Sequence, residues 1–72
     1  MHKKKILELI KQRTEDDGYL YFEYDTRNYK PFTKADWDRA RTLIKSNLVT
    51  IHGKPHFDGG SGVVMLKYVG EE

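Results

Sequence analysis

Residues 32–69 read FTKADWDRARTLIKSNLVTIHGKPHFDGGSGVVMLKYV, and a change of hydrophobic period inside this stretch decides the fold. In its first part Trp37, Ala40, Leu43 and Ile44 recur at three to four residues and fall on one side of a helix. Thr33 is placed to cap that helix with Asp36 three residues on, and Phe32 and Trp37 occupy the two positions of a hydrophobic staple. Asn47 is the expected stop, so the helix spans 33–47. Beyond it LVTIHG starts a strand and VVMLKYV forms a second. On the latter Val63, Met65 and Val69 lie on one side, and Val64, Leu66 and Tyr68 on the other. Apolar residues on both sides imply a central strand covered at least in part on each.

The connecting segment KPHFDGGSG, 54–62, is too polar and too rich in glycine to be packed, and reads as the exposed tip of a hairpin. Asp58-Gly59 and Gly60-Ser61 supply the positive φ values that a tight turn needs, with Gly62 adding slack. Pro55 has no N–H for a ladder, so this arm is an edge or lies outside the sheet. Lys54, His56 and Phe57 ride on the tip.

Working toward the N-terminus, TRNYKP is a connector, because Pro31 disfavours helix at Lys30. YLYFEYD is a half-buried strand with Leu20, Phe22 and Tyr24 on one face, and Tyr19, Tyr21, Glu23 and Asp25 on the other. HKKKILELIKQRTE is an amphipathic helix of about three turns, with Ile6, Leu7, Leu9 and Ile10 on its apolar stripe, ended by EDDG. The expected fold is α+β: one small domain over 1–72, ordered helix, strand, helix, strand, strand, with two helices on a three-stranded antiparallel sheet. The expected neighbours of the last strand are YLYFEY and LVTIHG.

A chain of 72 residues buries only about 60% of its unfolded surface on folding. It has no cysteine, so disulfides, thiolate metal sites and cysteine nucleophiles are excluded. The basic start MHKKK is followed by charges where a signal peptide is apolar, and the longest apolar runs fall far short of the roughly 20 residues of a membrane span. The expectation is an unprocessed cytoplasmic protein with no membrane partner.

Charge comes in blocks. Lys3, Lys4, Lys5, Lys11 and Arg13 open the chain; Glu15, Asp16, Asp17, Glu23 and Asp25 follow; a second basic stretch runs from Arg27 to Lys54, interrupted by Asp36 and Asp38. On the second helix Lys34, Arg41 and Lys45 fall within about 40° of one another, with Asp38 beside them and able to pair with two of them. Lys3 to Lys5 sit at the positive end of a helix dipole, where cations are unfavourable, so the fold does not ask for them; they serve either contact with phosphate or another anion, or simply a solubilising N-terminus. His52, His56 and Asp58 have no fixed geometry for a metal, and GGSG lacks the Lys-Ser/Thr of a phosphate loop. The carboxylates lie in exposed runs where nothing raises a pKa for acid-base work. No catalytic residue, metal or cofactor is expected.

The order of elements in 32–69, preceded by a helix and a strand, resembles the winged helix-turn-helix superfamily. The resemblance implies that helix 33–47 is the recognition helix of a DNA-binding or transcription-associated protein, and that Lys54 to Gly62 is its wing. On that mapping Lys34, Arg41 and Lys45 face a duplex, with Thr42 and Arg39 at the edge of the surface, and Lys54, His56 and the Lys3, Lys4, Lys5 cluster assisting. Where that family places another helix before the recognition helix, this chain has only DTRNYKPF, room for one distorted turn within 26–32. A module of this size reads few base pairs, so specificity calls for a homodimer or larger assembly. The alternative expectation is a protein-interaction module or inhibitor, such as a phage or mobile-element accessory protein, binding a host protein through its aromatic strand or hairpin.

Overall fold

The computed structural model describes residues 2–27 and 31–70. The N-terminal amphipathic run forms α1 (Lys3–Asp17), a turn longer than its apolar stripe, and ends at Gly18, whose φ of 93° is the left-handed stop that glycine adopts without strain. The acidic EDD segment thus belongs to the helix: Gln12 donates to Asp16 at 2.8 Å, and Arg13 pairs with Asp17 at 3.4 Å, each four residues on. Ile6 and Ile10 are fully buried, each stabilising the fold by roughly 1.5–3 kcal/mol.

The aromatic run forms β1 (Leu20–Asp25), and α2 (Lys34–Lys45) follows the connector. Thr33 caps α2 reciprocally: its hydroxyl accepts from Asp36 N–H at 3.1 Å and its own N–H donates to the Asp36 carboxylate at 3.0 Å. Phe32 and Trp37 meet through Phe22, which stacks on Phe32 at 4.1 Å and touches Trp37 at 5.8 Å between ring centroids. Asn47, with φ of 65°, turns the chain out of α2. The turn expected within 26–32 falls partly on 28–30, outside the described residues.

The C-terminal half supplies β2 (Val49–Ile51), β3 (His56–Asp58) and β4 (Ser61–Tyr68). The sheet is antiparallel in the order β1-β4-β2, with β3 continuing the line of β2 along the same edge of β4. Ile51 lies opposite Leu66 and His56 opposite Val63, so His52–Pro55 face only Val64 and Met65 and the edge bulges by two residues. Pro55 cannot donate and Gly53 has a φ of 79°, which together break the first hairpin arm into two strands and make the sheet four-stranded. The turn uses positive φ at Gly59 and not at Gly60.

Both helices lie on one side of the sheet, over Leu20, Phe22, Tyr24, Val49, Val64 and Leu66. Thr14 fastens α1 to the end of β4: its hydroxyl donates to Ile10 O and accepts from Tyr68 N–H at 2.9 Å. On the other side of β4, Val63 and Met65 are half-buried under the chain's own side chains, and among the described residues no helix covers them. Among the described residues no helix is long and apolar enough to cross a membrane.

Candidate nucleic-acid interface

The inner face of the sheet sets the attitude of α2. Trp37 is 7% exposed, stacked on Tyr24 at 5.5 Å and in contact with Phe57 at 5.7 Å. Its indole therefore points inward, while Lys34, Asp38, Arg41 and Lys45, set about 40–100° around the helix from it, are exposed on the adjoining side. The hairpin is held against this helix. Phe57, expected at a free tip, lies on Trp37, and Gly62 is buried beneath Phe57 and Tyr24. A methyl at Gly62 would stand 2.6 Å from Tyr24 Cε1 and 2.7 Å from Phe57 Cδ1, so this glycine permits a close approach and does more than lend slack to a loop.

The cations distribute themselves around α2 as follows. Lys34 Nζ bonds Asp38 at 2.8 Å, and Arg41 stands 3.9 Å from the same carboxylate. The hydrogen bond from Lys34, reinforced by the fields of Lys34, Arg41 and Arg39, holds the Asp38 carboxyl below its ordinary range. Lys45 has no ion pair among the described residues. Arg41 and Lys45 rim a shallow apolar depression of about 210 Å³ floored by Trp37, Ile44 and Ile51, between α2 and β2.

On the opposite flank of α2, Lys3 lines a cleft with Ala35, Asp38, Arg39 and Thr42. The two basic blocks of the sequence therefore meet. Arg39 is steadied 3.8 Å from Asp36, and the Thr42 hydroxyl donates to Arg39 O at 2.7 Å, which leaves it an acceptor toward solvent. Burial raises the Asp36 carboxyl, hydrogen bonds that include those from the Thr33 N–H and hydroxyl lower it, and the net shift is downward. This carboxylate was legible as a cap but not as the support of Arg39.

Lys4 and Lys5 are exposed on the first turn of α1 and do not line that cleft, and Lys54 is exposed in the bulge. His56 pairs in register with Val63 and faces the outer side of the sheet, away from α2, because its neighbour Phe57 faces inward. His52 also faces outward, its ring stacked on Tyr19 at 5.6 Å. Among the described residues no three His, Asp or Glu side chains converge on a metal-sized site. Comparison with protein-family models, with curated proteins and with solved structures finds no match to this chain.

Proposed function

We propose that this protein binds double-stranded DNA in the manner of a small winged helix, with α2 against the duplex and the β3–β4 ribbon beside it. The observation that supports this best is the convergence of basic residues on both flanks of one exposed helix face: Lys3 with Arg39 on one side, Arg41 with Lys45 on the other. The phosphate backbone takes up such cations regardless of base sequence, and the helix between them is free of apolar bulk that would block a groove. Asp38 works against anion affinity and tempers Lys34 and Arg41. Lys54 extends the basic surface along the ribbon edge; His56 does not.

Duplex titration at several salt concentrations tests the proposal. Four phosphate contacts correspond to a log-log salt slope of about −3.6, and Arg41→Ala with Lys45→Ala removes about 1.8 of it. Absence of duplex binding at low salt, or a double variant whose slope matches wild type, overturns it. A protein-docking role draws support from a different surface, the outer sheet face, where Tyr21 is 53% exposed. A stoichiometric protein partner retained from nuclease-treated extract, and indifferent to the Arg41 and Lys45 changes, would favour that role over DNA.

A further inference from the structure

The outer face of the sheet has apolar side chains where an antiparallel sheet open to water ordinarily carries polar ones. The strand registers set its outward residues in rows across β1, β4 and the β2–β3 edge. Asp25, Ser61 and Asp58 form one row, Glu23, Val63 and His56 the next. Tyr21 and Met65 continue with His52, whose N–H bonds Met65 O at 2.7 Å, and Lys67 with Thr50 closes the series. Carboxylates gather at the turn end, the lysine stands at the other end, and the apolar pair Val63 and Met65 lies between.

We propose that this face binds a second copy of the same chain, sheet on sheet, about a two-fold axis that crosses β4 between Val63 and Met65 at right angles to the strand. That operation exchanges the first row with the last and the second with the third. Lys67 of each copy then lies over Ser61 of the other, flanked on the adjacent strands by Asp58 and by Asp25, which Arg27 of its own chain already engages at 3.2 Å. Tyr21 faces Glu23, with its hydroxyl available to the carboxylate, and Val63 faces Met65. A two-fold interface must be complementary to itself, and this pattern is; an axis parallel to the strands would instead set the carboxylate row against its own copy. The face measures about 14 Å by 27 Å from the usual strand and residue spacings, small for a stable interface, so the dimer is weak and exchanges freely. This inference does not depend on DNA binding, since α2 lies on the other side of the sheet with its cations turned away.

Sedimentation of the full chain from about 1 μM to 1 mM is expected to show a reversible monomer–dimer equilibrium. Met65→Glu, which sets like charges near the axis, should abolish dimers, and Lys67→Glu should weaken them by about tenfold or more. Adding Asp58→Lys to Lys67→Glu should recover part of the loss. Circular dichroism of each variant checks that the monomer stays folded. Zero-length cross-linking of wild type provides a measurement free of substitutions. Lys67 stands six residues along β4 from Ser61 and hence about 20 Å from Asp58 within one chain, so a Lys67–Asp58 cross-link can arise only between copies. Monomers throughout the concentration range, dimers that survive both Met65→Glu and Lys67→Glu, or cross-linked dimers lacking a Lys67 bond to Asp25 or Asp58 would each overturn the proposal. So would a different protein that occupies this face while the pure chain stays monomeric.

Discussion

Substituting Gly62 by alanine probes the junction between the β3–β4 ribbon and α2 most directly. The added methyl would lie 2.6 and 2.9 Å from two atoms of the Tyr24 ring and 2.7 Å from the Phe57 ring, where ordinary contact begins near 3.4 Å. One ring or the strand must move by most of an ångström. Tyr24 cannot yield easily, since it is 5% exposed and stacked on Trp37 at 5.5 Å with planes 8° apart. Phe57 can, because it is 51% exposed. Overpacking of this kind costs about 1–3 kcal/mol, and each kcal/mol lowers Tm by roughly 4–8 °C in a domain of this size. Urea unfolding followed by fluorescence of Trp37, the protein's one tryptophan, reads the loss, and the folded-state emission should also shift as Phe57 leaves the indole. A double-mutant cycle with Phe57→Ala decides the cause. If the methyl acts by displacing Phe57, the two losses are less than additive. A Gly62→Ala protein within about 0.3 kcal/mol of wild type, or strict additivity with Phe57→Ala, refutes the reasoning.

Thr33→Ala removes the reciprocal cap of α2 and should cost about 1 kcal/mol in the same assay. Asp36 has a folded-state pKa lowered from 3.8, so its contribution to stability is present above the unfolded value and is lost as pH falls through the lowered one. Asp36→Asn should therefore flatten the pH dependence of stability below about pH 4, and equal acid sensitivity in the two proteins would count against the cap. Asp38→Asn frees Lys34 and Arg41 of their shared carboxylate and is expected to strengthen duplex binding about threefold at low salt, with the gain shrinking as salt screens it. Unchanged or weaker binding by that variant argues that the exposed stripe of α2 does not face the duplex.

Both helices and the strands β1, β2 and β4 have a local cause that can be read along the chain. Spacing of three to four in α1 and α2, alternation in β1, the Thr33 and Asp36 pair and the Asn47 stop all act within a few residues. So does the inward turn of Trp37, which follows from its place among Ala40, Leu43 and Ile44. What pattern could not reach is whatever depends on residues distant in sequence. Lys3 meeting Arg39, the shielding of one face of β4 and not the other, and the seating of Phe57 on Trp37 over Gly62 are consequences of helix docking on the sheet. The bulge at His52–Pro55 is a middle case: Pro55 announces an interruption, yet only pairing with β4 shows that β3 resumes the ladder two residues out of step. Local sequence determines where the backbone can hydrogen-bond to itself and which stripe of each element is apolar, since those are short-range properties of the chain. Which charges become neighbours is decided by how the stripes close on a shared core, and that is a property of the whole fold.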